Sequence, residues 1–131
     1  MWRLDPHTAD VRIHIAALAL PELFGDAARA LAELMHPLGS GEPISAEIEV
    51  EAIDVTALLV DFLNDVLTRT HIERACFTEV AFASLSDTAL RATIRGTRVD
   101  GFEEDVKSVT YHEARVDRDG EGWAVTLVLD I

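Results

Sequence analysis

Apolar residues recur along the chain with two distinct periods. Val11, Ile13 and Ile15 alternate with Arg12 and His14, a period of two that predicts a strand over residues 11–16 with one buried face. Pro21 then opens a helical stretch, at a position where its missing N–H is not needed. Leu20, Leu23, Phe24, Ala27, Leu31, Leu34 and Met35 follow at spacings of three and four and form a broad apolar stripe. His36-Pro37 and the stretch from Gly39 to Pro43 end that helix with turn chemistry.

Ile48, Val50 and Ala52 alternate with Glu47, Glu49 and Glu51, which predicts a second half-buried strand. Asp54 is placed to cap a second helix running to about Thr70, with Val55, Leu58, Leu59, Phe62, Leu63, Val66 and Leu67 as its stripe. Strands are predicted near 76–84 and 88–97, turning at Ser86-Asp87, and a polar loop covers 100–105. A final pair, about 107–117 and 122–131, is joined by the Gly-rich run 117–122. The order is strand, helix, strand, helix, then four strands. It predicts an α+β fold, one domain over 1–131, with two helices packed on largely antiparallel sheet.

Composition narrows the functional classes. Acids outnumber Lys and Arg by 24 to 11, a formal charge of −13, so a generic basic face for nucleic acid is excluded and any RNA connection runs through a partner protein. No apolar run nears the roughly 18 residues of a membrane span, and no secretory leader is visible, which predicts a soluble, cytoplasmic protein. Cys76 is the single cysteine, which excludes an internal disulfide and a Cys-based zinc site. Residues 41–65 hold seven acids and no Lys or Arg, either a solvated outer face or a patch that meets a basic partner. Lys107 is the only lysine beside ten arginines.

Three positions carry candidate chemistry. Asp10 lies at the mouth of the first strand on the polar face of Arg12 and His14, as a turn residue or as a ligand. Asp130 ends a strand, Trp123–Ile131, that is apolar on both faces apart from Thr126 and Asp130 and therefore reads as central. Ending on Ile131 would place a terminal carboxylate beside Asp130. Two buried negative groups would call for a hard cation or for Lys107, unless the strand end reaches water. With Asp119-Gly120 as a two-residue turn, Val109 falls opposite Asp130, and Lys107 lies on the same face a diagonal step of roughly 7–8 Å away. The five histidines, His7, His14, His36, His71 and His112, have no metal-ligand spacing, and no phosphate-cradling glycine loop is present.

The same residues resemble the archease family. The resemblance rests on His7-Thr8-Ala9-Asp10, Leu23-Phe24 through Ala27-Ala28, and Leu58-Leu59 with Phe62-Leu63-Asn64. It continues through residues 106–112, Val106-Lys107-Ser108-Val109-Thr110-Tyr111-His112, to the final Asp130-Ile131. It implies a non-catalytic protein cofactor of the tRNA-splicing ligase, the GTP- and metal-dependent enzyme joining RNA 3′-phosphate or cyclic phosphate ends to 5′-hydroxyl ends. Such a cofactor promotes guanylylation of the ligase histidine, allows multiple turnover and relaxes nucleotide choice. The resemblance further implies a calcium-like divalent cation held by Asp10, Asp130 and the Ile131 main chain, with Lys107 as the residue essential for activation. Two departures stand out: Pro6 separates Asp5 from His7 where the family often runs Asp-His-Thr-Ala-Asp, and Ser108 replaces the usual alanine after the lysine. Two further classes are weighed beside it. One is a metal-dependent phosphoester hydrolase using Asp10, Asp130 and His112; the other is a chaperone-like module presenting Asp61 and Asp65.

Overall fold

The computed structural model describes residues 1–6 and 10–131, with the backbone alone at 4–6; the segment His7-Thr8-Ala9 and the side chain of Asp5 lie outside the described residues. Strand β1 (Trp2–Pro6) leads into β2 (Asp10–Ala17), helix α1 (Leu20–Leu34), β3 (Pro37–Leu38) and β4 (Pro43–Glu51). Helix α2 (Val55–Glu73) is followed by β5 (Ala75–Leu85), β6 (Ala89–Arg98), β7 (Gly101–Phe102), β8 (Ser108–Asp119) and β9 (Gly122–Asp130). The elements expected from periodicity are present, and three short strands are added. Among these, β1 alternates over only five residues and ends on Pro6. It forms the outer edge of its sheet, where proline's missing donor is tolerated.

Two antiparallel sheets carry the fold, one ordered β1-β2-β9-β8 and one ordered β4-β6-β5, with β3 and β7 as a small separate ribbon. Each helix touches both sheets: α1 packs on β5 and β2, and α2 packs on β8 and β4. This explains why α2 has almost no polar face in its first half, where Leu58, Leu59, Val60, Phe62 and Leu63 are all fully buried. A helix covered from two sides loses its amphipathic stripe. Phe24 of α1, Phe62 of α2 and Phe82 of β5 meet at the junction, with ring centroids 5.9 to 6.2 Å apart.

The helix ends follow local chemistry. The Asp54 carboxylate accepts the Ala57 N–H at 2.8 Å, as the sequence predicts for an N-cap. Arg74 closes α2 in the left-handed region, φ 49°. Gly96 lies where β6 meets β5 so closely that a Cβ would come within 1.7 Å of the Cys76 carbonyl oxygen, so no larger residue fits there. Among the described residues, no helix is long and apolar enough to cross a membrane.

Candidate functional site

Strand β9 is central, as its two apolar faces predict, and lies between β2 and β8. Its side chains alternate between the helix-facing core, with Val125, Leu127 and Leu129 buried, and the outer face of the sheet. Antiparallel pairing places Asp10 of β2 directly opposite Asp130 of β9, at the end of the ladder. Register partners share a face, so both carboxylates lie on the outer face with Arg12 and His14. Neither carboxylate has a hydrogen-bond or ion-pair partner among the described residues. Arg12, two residues along, is already ion-paired to Glu113.

Asp130 is exposed, so burial does not force a counter-ion there; like charges set opposite one another remain. Ile131, the next residue, is 46% exposed.

The β8–β9 register differs from the expected one. The two turn residues are Gly120 and Glu121, with Asp119 opposite Gly122 rather than Arg118 opposite Glu121. That change moves the pairing by an even number of residues and preserves the faces. Between Thr110 and Arg115, however, β8 carries four residues opposite the single Leu127 of β9. Three extra residues are an odd number, so the faces reverse beyond this wide bulge. Glu113 takes up the bend with φ 59°, a left-handed conformation in a non-glycine residue. Asp130 therefore pairs with Ser108 and not with Val109. Lys107 leaves the ladder just before β8 begins. It stays beside Asp130 through the main chain, its N–H donating to the Asp130 carbonyl at 2.8 Å. The Lys107 side chain is exposed and has no ion pair among the described residues.

Helix α2 fixes this part of β8, whose second edge has no strand neighbour. The Asn64 amide donates to the Val109 carbonyl and accepts the Val109 N–H, both at 2.8 Å, replacing a missing strand with one side chain. Thr56 accepts the Val116 N–H at 3.0 Å on the far side of the bulge, and the Tyr111 hydroxyl donates to Asp61. The sequence marks Asn64 only as part of the family resemblance; the clamp itself depends on a pairing 45 residues apart in the chain.

Electrostatics around α2 follow from that packing. Burial and the neighbouring Asp61 push the Asp65 carboxyl above the usual carboxylate range, with Arg69 opposing. The hydrogen bond to Asp61, then desolvation and negative charge, push the Tyr111 phenol upward. His112 lies on the bulge, largely exposed, with Nε2 3.8 Å from the Glu113 carboxylate.

Asp10 and Asp130 face one another, and with the neighbouring main chain at Ile131 they offer only oxygen donors, the ligand type a hard divalent cation takes. No group of three His, Cys, Asp or Glu that could hold a metal ion gathers among the described residues. Glu47, Glu49 and Glu51 line the outer face of β4, partly offset by Arg91, whose Nε is 3.6 Å from Glu49, and by the Thr93 hydroxyl donating to Glu47 at 2.9 Å.

Comparison with known proteins connects this chain to a family. Solved structures share the fold: the solution structure of a Methanobacterium thermoautotrophicum protein superposes with a TM-score of 0.73 at 24% identity, covering 99% of this chain and 98% of that one. The crystal structure of an archease from Thermotoga maritima, described as a possible chaperone, gives a TM-score of 0.73 at 18% identity over 97% and 96% of the two chains. In sequence, the chain is 32% identical over 138 residues to the protein archease of Methanopyrus kandleri, covering 99% of each. It is 31% identical over 140 residues to that of Pyrococcus abyssi, covering 99% of this chain and 98% of that protein. The model of the archease protein family matches residues 2–131, from the start of β1 to Ile131 beyond β9, and with these full-length likenesses the chain belongs to the archease family.

Proposed function

We propose that this chain is a non-catalytic protein cofactor of the GTP-dependent tRNA-splicing ligase, acting by promoting guanylylation of the ligase and its multiple turnover. The observation that carries the reading is the facing pair Asp10 and Asp130, with Lys107 bonded through its main chain to the second of them. Asp10, Asp130 and the Ile131 main chain would hold a divalent cation, calcium-like in its oxygen ligation, and that cation would supply positive charge for phosphate oxygens. The exposed Lys107 ammonium offers three donors and a point charge to an anionic group of the partner or its nucleotide.

The rest of the surface suits work on a protein rather than on RNA. A formal charge of −13 repels the phosphate backbone and steers the chain toward a basic enzyme surface. The description of the Thermotoga maritima relative as a possible chaperone agrees with the coarser part of this reading, action through a protein partner.

The test is a GTP-dependent ligation time course at substoichiometric ligase. With this protein present, product continues to accumulate beyond one equivalent of ligase; without it, accumulation stalls near one equivalent. Superimposable curves would rule the reading out.

A further inference from the structure

The row that holds the facing carboxylates does not end at Asp130. Asp10 of β2 pairs with Asp130 of β9, and Asp130 pairs in turn with Ser108, the first residue of β8. Their chain neighbours Val109 and Leu129 are themselves register partners and are buried in the core, so Ser108 and Asp130 both lie on the outer face. One row across three strands therefore presents carboxylate, carboxylate and hydroxyl to the same side of the sheet. Residues directly opposite in an antiparallel pair have Cβ atoms about 4.5–5.5 Å apart, within reach of a bond between a serine hydroxyl and an aspartate carboxylate.

The next row shows where a hydroxyl on β8 otherwise goes. Thr110 pairs with Val128, and its hydroxyl donates to the Val128 carbonyl at 3.0 Å. The corresponding acceptor for Ser108 is the Asp130 carbonyl, which already accepts the Lys107 N–H at 2.8 Å. Neither the Ser108 hydroxyl nor the Asp130 carboxylate has a hydrogen-bond partner among the described residues. Arg12, on the same face, is ion-paired to Glu113. A neutral donor set opposite a charged acceptor forms a charge-assisted bond, stronger than the hydroxyl-to-carbonyl bond of the Thr110 row.

A carboxylate that ligates a metal is itself hydrogen-bonded as a rule, and that second bond fixes its orientation. Asp130 needs such a bond more than most, because Asp10 faces it and like charges repel. Ser108 flanks Asp130 on the side away from Asp10. A hydroxyl donating from that side takes one carboxylate oxygen and leaves the other for the β2 side, where Asp10 stands. The donor is also well held. Ser108 is half-buried, and the Asn64 amide clamps the main chain of the next residue, Val109, at 2.8 Å in both directions.

We propose that Ser108 is a positioning residue whose hydroxyl donates to the Asp130 carboxylate and holds it toward Asp10 for a divalent cation shared by the two. This role rests on the reading of Asp10 and Asp130 as cation ligands, which does not itself require the hydroxyl.

Titration calorimetry with calcium chloride on the full chain, beside thermal melts in chelator, tests it. The parent binds calcium at a single site. Ser108→Ala weakens that affinity by about tenfold, the scale of a lost bond to a metal-ligating group. Ser108→Thr, which keeps a hydroxyl at the same place, retains the parent affinity. Thr110→Val, one row along on the same strand and face, removes a hydroxyl bonded to main chain and leaves the affinity unchanged. Cooperative melts in chelator show each variant folded, so the change in affinity reads the site and not the strand. A parent that binds no calcium would remove the cation reading and this role with it. Calcium binding that Ser108→Ala leaves unaltered would overturn this role alone, as would equal weakening by Ser108→Thr or Thr110→Val.

Discussion

Asp10 and Asp130 stand directly opposite one another on the outer face of the sheet, at the end of the β2–β9 ladder, and neither carboxylate has a hydrogen-bond or ion-pair partner among the described residues. Like charges in facing positions of an antiparallel pair destabilise it. In chelator, Asp130→Asn should therefore raise stability by a few tenths of a kcal/mol. Added calcium should raise the melting temperature of the parent protein by mass action and leave the variant unmoved. Parallel melts in chelator and in millimolar calcium check both halves.

Asn64 replaces a strand neighbour for Val109, and its removal leaves a donor and an acceptor on β8 without a partner. Asn64→Ala should cost about 2 kcal/mol in denaturant unfolding, the scale of two lost hydrogen bonds at a partly buried site. Hydrogen exchange should speed up at the Val109 amide and leave the β4–β6 ladder protected. Asn64→Asp, which keeps the acceptor for the Val109 N–H but cannot donate to its carbonyl, should fall between the two.

Asp65 supplies a pH dependence of defined sign. Its carboxyl is pushed up by burial and by Asp61, so the folded state binds its proton more tightly than the unfolded state does. Stability from this group is present at low pH and is lost as pH rises through the elevated folded value. At neutral pH Asp65→Asn should melt at or slightly above the parent temperature, and the difference should vanish in acid. Since Asp65 is exposed, solvent screening keeps the effect small. Tyr111 gives the alkaline counterpart: its phenol is raised by the hydrogen bond to Asp61, so the bond's contribution is full below the ordinary phenol range and lost as pH climbs through the raised value. Tyr111→Phe should flatten the alkaline limb of the melting profile.

The two helices and the long strands were legible because each carries a period that its packing enforces. Asp54 as a cap and β9 as a central strand follow from local pattern alone. The edge strand β1 was not legible, because five residues ending in proline give too short an alternation. The pairing of Asp10 with Asp130 spans the whole chain and no local rule supplies it. Charge and periodicity could only mark Asp10 as the polar mouth of a half-buried strand and Asp130 as the polar end of a central one. The hairpin register failed for a physical reason: the polar run Tyr111-His112-Glu113-Ala114 folds as a wide bulge held by Thr56, Asp61 and Asn64 from α2, and a bulge anchored by a distant helix leaves no period to read. Lys107 still ends beside Asp130, by a main-chain bond instead of a cross-strand diagonal.

Lys107 offers the cleanest separation of function from folding, because its side chain is exposed and has no ion pair among the described residues. Lys107→Ala should melt within about 0.5 kcal/mol of the parent, as surface substitutions do. The direct measurement of the central claim is the fraction of ligase carrying covalent guanylate, with parent protein, Lys107→Ala, Asp10→Asn or Asp130→Asn present. The account predicts that the parent drives guanylylation toward completion and that each folded variant leaves it at the level of ligase alone. Full guanylylation with all three variants would contradict it.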